Sequence, residues 1–152
     1  MLPKNILLCT DFSANSRAVQ QYAVEFAETF SANLTIIHVV DSALLGYSSL
    51  NEKIPVEVRS LLGEIDKSVT KALGIVAAEC GKHVAQVRSC SRMGRPGAEI
   101  LKASKELGSD LIVMGTHGRT GLQHLLLGST AAQVLRGAHC PVLVVRSPPC
   151  PD

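Results

Sequence analysis

The sequence predicts an α/β protein, a parallel sheet carried by one domain over residues 1–146. Three observations predict it. Short apolar runs alternate with longer stretches in which apolar residues recur every three or four positions. Several runs are apolar throughout, as strands buried on both faces are. One of them, Leu111 to Met114, breaks into Gly115, Gly118 and Gly121 before a helical pattern resumes at Ser129. That is a strand, a glycine loop and a helix in succession.

Lys4–Thr10 (KNILLCT) reads as the first strand. After Asp11, Phe12 and Ser13, the residues Val19, Tyr22, Ala23, Phe26, Ala27 and Phe30 recur at helical spacing and leave Glu25 and Glu28 outside. Ser13 or Ser16 is the expected cap. Leu34–Val40 (LTIIHVV) is the second strand, closed by Asp41. Residues 42–55 carry no pattern and read as a mobile connection. Val58, Leu61, Leu62, Ile65, Val69, Leu73 and Val76 predict a long helix from Val56, stopped by Gly81. Val84–Cys90 (VAQVRSC) alternates as an edge-like strand does. Arg92 to Pro96 are expected to turn the chain, with Pro96 suited to the first turn of the next helix. That helix is expected to bury Ile100, Leu101, Ser104 and Leu107 and to end at Gly108. Ser129 and Thr130 open the last helix, with Ala131, Val134, Leu135 and Ala138 on its inner face. Pro141–Arg146 (PVLVVR) is the final strand, and SPPCPD over 147–152 is expected to be a disordered tail.

Composition narrows the function. The chain has 152 residues, 46% hydrophobic and 18% charged, which suits one globular domain. Aromatics are 3% with no Trp, which weakens any base-stacking nucleic-acid platform. The net charge of +2 is scattered and implies no polyanion partner. No secretory signal is visible in MLPKNILLCTDF, and no apolar run approaches the ~20 residues of a membrane helix. A cytosolic protein without membrane contact is the expectation. The five cysteines form no C-x-x-C pair; Cys9, Cys90 and Cys140, in or beside strand-like runs, read as structural thiols, and Cys150 in the tail as exposed and adventitious.

The strand–loop–helix unit carries the chemistry. A helix N-terminus offers unbonded N–H groups and the positive end of the helix dipole, which suits a phosphate. Gly115, Gly118 and Gly128 have no Cβ and let a bulky ligand approach the backbone. Ser129 and Thr130 add hydroxyls. The same glycines would serve to turn the chain, and Ser129 to cap the helix; spacing alone leaves both open. The patterns G-x-x-x-x-G-K-[ST] and G-x-G-x-x-G do not occur, which excludes two familiar phosphate loops. Asp11 stands where the first strand gives way to the first helix, the sheet edge at which ligands of open α/β folds bind. A carboxylate there accepts from a ribose diol or caps the helix; position leaves these equal. His38 reads as a packed or surface histidine rather than a ligand. No His or Cys stands at metal-ligand spacing from it, and no protein metal cage is expected.

Gly115-x-x-Gly118, nine residues and then Gly128-Ser129 resemble the G-2x-G-9x-G-[ST] signature of the ATP-binding branch of the universal stress protein family. The words CTDFS, GRPGAEIL, LIVMGTHGRTG, LLLGST and CPVLVV are similar too, so the resemblance covers essentially the whole chain. It implies a Rossmann-like (adenine nucleotide alpha hydrolase-like) domain. Its five-stranded parallel sheet would have the order 3-2-1-4-5, with helices on both faces. The first and fourth strands would then meet at a switch point where a crevice opens. The resemblance implies ATP as ligand, with the adenine edge on the backbone of Val39. Thr10 and Asp11 would lie against the nucleoside, and Met114, Gly115, Gly118, Gly128, Ser129 and Thr130 around the phosphates. Mg²⁺ would be carried by the phosphates. A homodimer through Val142–Val145 is also implied, covering an apolar sheet edge.

The function expected is that of a cytosolic, stress-responsive ATP-binding protein without strong catalysis. Phosphoryl transfer needs a positioned nucleophile, metal ligands and charge stabilisation. His117 and His124 are the loop histidines available as bases, and no catalytic constellation is visible. Arg119 reads as a solvated loop residue in preference to one that approaches the phosphates. A slow ATPase or autophosphorylating protein is one alternative. A nucleotide-free dimeric interaction module is another, disfavoured by the retained glycine signature. Cys9 departs from the small residue the family often has before Thr10. It is expected beside the base, where a thiol would make binding redox-sensitive.

Overall fold

Ile6, Leu7 and Leu8 are all buried, although successive side chains of a strand point to opposite faces. Their strand is therefore covered on both sides. The computed structural model describes residues 1–46, 54–117 and 127–146. Its elements are β1 (Asn5–Cys9), α1 (Ser16–Phe30), β2 (Asn33–Asp41), α2 (Val56–Cys80), β3 (Val87–Gly94), α3 (Pro96–Glu106), β4 (Leu111–Gly115), α4 (Ser129–Gly137) and β5 (Val142–Val145). The strands are parallel in the order β3-β2-β1-β4-β5. This is the expected α/β sheet, 3-2-1-4-5.

The alternation along each strand feeds two cores. On one face Ile6, Leu8, Leu34, Ile36 and Val113 pack with Val19, Ala23 and Ala27 of α1 and with Val69 and Leu73 of α2. On the other, Leu7, Ile37, Ile112 and Met114 pack with Ile100 and Ala103 of α3 and with Ala131 and Val134 of α4. Asp110 ties β1 to β4 at their starts. Its carboxylate accepts from the Lys4 and Asn5 N–H groups at 2.9–3.0 Å, and its own N–H donates to Asn5 O. The opposite, carboxyl ends of these two strands lie at the switch point of the sheet.

Several element boundaries differ from expectation, each for a physical reason. β3 runs over Val87–Gly94, not Val84–Cys90, because Arg92, Met93 and Gly94 pair with Val39, Val40 and Asp41 of β2. The turn expected at Arg92 starts only after Gly94. Val84 is a core residue before the strand. Asn15, not Ser13 or Ser16, is the N-cap of α1, and no side chain caps it. Ser16 instead closes a turn on Ser13, donating to its carbonyl through N–H at 3.0 Å and Oγ at 2.6 Å. Leu107 is 40% exposed, since α3 ends one residue earlier and Ala103 takes its place in the core. Tyr22, Leu61 and Leu135 are also exposed, on the outer flanks of their stripes. The stretch from Ser42 opens as a 3₁₀ turn over Ser42–Leu45, capped by Asp41 Oδ1 on Ala43 N–H at 3.0 Å. Pro96 takes the first turn of α3 as expected. The segment 147–152 lies outside the described residues.

Candidate functional site

β1 and β4 are neighbours, with Leu8 opposite Val113. The strands that leave them run to opposite sides, β2 beyond β1 and β5 beyond β4. Between them lies the topological switch point, and the carboxyl ends of the strands form its rim.

Thr10, Asp11 and Phe12 leave β1 at this rim in a built turn. Asp11 Oδ1 accepts from Ser13 N–H at 2.9 Å, and Thr10 Oγ1 accepts from Phe12 N–H at 3.2 Å. Phe12 has φ +61°, left-handed backbone that is uncommon for a bulky residue and marks local strain. Its ring lies 4.5 Å from that of His38, tilted by 32°. His38 is 8% exposed and meets Thr10 O through Nδ1 at 2.8 Å. The Asx turn accounts for one Asp11 oxygen and fixes the carboxylate at the crevice.

Across the crevice, β4 ends at Met114 and Gly115. The Met114 side chain is 4% exposed and belongs to the core under α3 and α4, so only its backbone faces the rim. A Cβ at Gly115 would meet Val19 Cγ2 at 3.4 Å and His117 O at 3.6 Å, ordinary contacts. Thr116 then does what no sequence signal announced. Its N–H donates to Val145 O at 3.2 Å and its carbonyl accepts from Gly128 N–H at 2.7 Å. Its hydroxyl is 2.9 Å from His117 Nδ1. One residue thereby joins β4 to β5 and to the start of α4.

Gly128 is the N-cap of α4, with extended φ −71° and ψ 160°. Ser129 and Thr130 are the first two helical residues, Ser129 exposed and Thr130 half-buried. No side chain caps this helix, and no acidic residue stands in its first turn. Its first N–H groups and its positive dipole end are uncompensated by protein among the described residues. Gly118, Arg119, Gly121 and His124 lie outside the described residues.

Val39 sits near the end of β2, half-buried, opposite Arg92 of β3. Cys9 is half-buried at the end of β1. Burial, with Cys90 adding to it, pushes its thiol up to about 12, so the neutral thiol dominates at neutral pH. This opposes the redox sensitivity expected for it, which needs thiolate. Among the described residues, no group of three or more His, Cys, Asp or Glu could hold a metal ion. No helix among them is long and apolar enough to cross a membrane.

The fold and rim define a doubly wound parallel α/β domain with Thr10, Asp11 and the start of α4 following the strand ends at its switch point. The chain belongs to the universal stress protein family, whose model matches residues 3–146. It is 37% identical over 153 residues to universal stress protein MJ0531 of Methanocaldococcus jannaschii, covering 97% of this chain and 84% of the relative. The solved structure of MJ0577, from the same organism, superposes with a TM-score of 0.85 at 25% identity, covering 99% of this chain and 100% of the other. A universal stress protein solved in complex with cAMP shares the fold, with a TM-score of 0.69 at 20% identity over 96% and 98% of the two chains.

Proposed function

We propose that this chain is an ATP-binding regulatory protein of the cytosol, acting as a dimer through β5. One observation carries the reading. A carboxylate set in its own turn, Asp11 after β1, and an uncapped helix N-terminus at Ser129 and Thr130, joined to the end of β4 through Gly128 and Thr116, follow the carboxyl ends of two adjacent strands at the switch point. A nucleotide uses both. The ribose hydroxyls donate to Asp11, and the phosphates take the N–H groups and hydroxyls of Ser129 and Thr130. Thr10 and Val39 line the nucleoside side. Gly115, Gly118 and Gly128 border the phosphate side with the backbone of Met114. The fold neighbour solved with cAMP supports an adenine nucleotide as a guest for this architecture.

These residues suit Mg²⁺ only as a cation that arrives on the phosphates, where it would neutralise charge between oxygens. The Thr116 hydroxyl and His117 Nδ1, 2.9 Å apart just after β4, are a hydroxyl–imidazole pair; we infer that the nucleotide is nonetheless a regulatory occupant and that any hydrolysis is slow. Calorimetric titration with ATP–Mg²⁺, ADP, AMP and cAMP tests the reading. Saturable ATP binding below millimolar concentration is expected. No heat from any of the four at millimolar concentration would sink it.

A further inference from the structure

The β1–β2 ladder stops one bond short of the crevice. Pairing runs from Asn5–Asn33 to Cys9–Ile37, and Thr10 N–H adds a bond to Ile37 O at 2.9 Å. In a continued parallel ladder, Val39 N–H would donate next, to Thr10 O. That oxygen is met instead by His38 Nδ1 at 2.8 Å. A carbonyl only accepts, so Nδ1 carries the proton. Since Ile37 turns its carbonyl to β1 and the strand period is two, Val39 turns its own N–H and C=O the same way. Among the described residues, neither has a hydrogen-bond partner on that side. At this point Phe12 has left-handed backbone and its ring lies against His38.

We propose that His38 is a positioning residue that holds the Val39 backbone open for the adenine edge of a nucleotide, by drawing the Thr10 carbonyl onto its own ring and out of line with Val39 N–H. This rests on the adenine-nucleotide reading of the same site. An adenine edge presents one acceptor beside one donor, the complement of a backbone N–H and C=O on one side of a strand. His38 itself need not touch the ligand. The arrangement gives a structural reason for base recognition by a residue whose side chain carries no recognition chemistry.

Hydrogen–deuterium exchange at the Val39 amide, read by NMR in nucleotide-free protein, tests the device without a ligand. His38→Phe keeps a ring against Phe12 and removes the donor, returning Thr10 O to Val39 N–H. The Val39 amide is expected to exchange about tenfold faster in the wild type than in this variant. His38→Asn places an amide N–H near the Nδ1 position and restores fast exchange. For binding, His38→Phe is expected to weaken ATP roughly three- to tenfold, one neutral hydrogen bond, while tripolyphosphate, which has no base, is unchanged. His38→Asn recovers the loss. Equal protection of Val39 in wild type and His38→Phe overturns the proposal with nucleotide binding intact. So does a parallel loss of ATP and tripolyphosphate. A fast Val39 amide in a wild type that binds no nucleotide overturns the ligand half, and with it the nucleotide reading.

Discussion

Gly128 N–H donates to the carbonyl of Thr116 at 2.7 Å, and a Cβ on Gly128 would stand 2.9 Å from that same oxygen. The glycine is required by the protein's own backbone, before any ligand is considered. Gly128→Ala is therefore expected to destabilise the fold by about 1–3 kcal/mol, through displacement of the strand-to-helix connection. Gly115→Ala, with its nearest neighbour at 3.4 Å, is expected to cost less than about 1 kcal/mol. Urea midpoints at constant slope measure both. Equal midpoints for the two variants would contradict the Thr116 contact as the cause.

Ser129 separates ligand from fold more cleanly. It is exposed, in the first turn of α4, and no acid stands there. Ser129→Asp adds a negative charge where the dipole favours one, so stability is expected to hold or rise by about 0.3–1 kcal/mol. The same charge repels a phosphate. ATP affinity is expected to fall at least about tenfold, an effect that shrinks with added salt. Unchanged affinity would place the phosphates elsewhere.

Asp11 has two duties that substitution can split. Asp11→Asn keeps an oxygen for Ser13 N–H and removes the charge. Its stability should stay within about 0.5 kcal/mol of wild type, while ATP binding weakens about tenfold, the difference between charged and neutral acceptors. Asp11→Ala also loses the turn and about 1 kcal/mol of stability. If Asp11→Asn binds ATP as the wild type does, the carboxylate is only a turn former.

Cys9 gives a pH dependence with a definite sign. Its thiol is raised from 9.0 to about 12 in the fold, so folding favours the protonated form. That contribution is intact below pH 9.0 and is lost as pH climbs toward about 12. The unfolded chain ionises first, and one proton steepens the alkaline loss by up to about 1.4 kcal/mol per pH unit. Cys9→Ala should flatten this limb relative to wild type in denaturation series across pH 8–11. Limbs of equal slope would contradict the burial of this thiol.

β5 is an edge strand whose Val142, Leu143 and Val144 are half-buried in the single chain. A twofold dimer pairing this edge is expected, so light scattering at micromolar concentration should give twice the 16.1 kDa chain mass. Val142→Lys, a charge on the paired edge, should release monomers. A monomeric wild type would remove β5 as an interface.

The fold was legible because both cores are written as unbroken apolar runs such as Ile6-Leu7-Leu8 and Leu111–Met114. The strand order was not written there; it came with the resemblance carried by the glycine signature and CTDFS. The end of β3 escaped because Arg92, Met93 and Gly94 look like a turn, and only pairing with Val39–Asp41 makes them a strand. Asp11, Ser129 and Thr130 were visible as candidates because side chain and position agree. Thr116 was not visible, because its part is played by backbone N–H and C=O. His38 was read as a packed or surface histidine and proves packed, but its bond to Thr10 O depends on where the ladder stops, which composition does not encode.

The most direct test follows backbone amide shifts by NMR while ATP–Mg²⁺ is titrated into the wild type. The amides of Ser13, Val39, Gly115, Ser129 and Thr130 should all move, with one shared saturation curve, because one nucleotide spans the crevice. Silence at these amides up to millimolar ATP, or separate curves for Val39 and Thr130, would contradict a single nucleotide held between Asp11 and the start of α4.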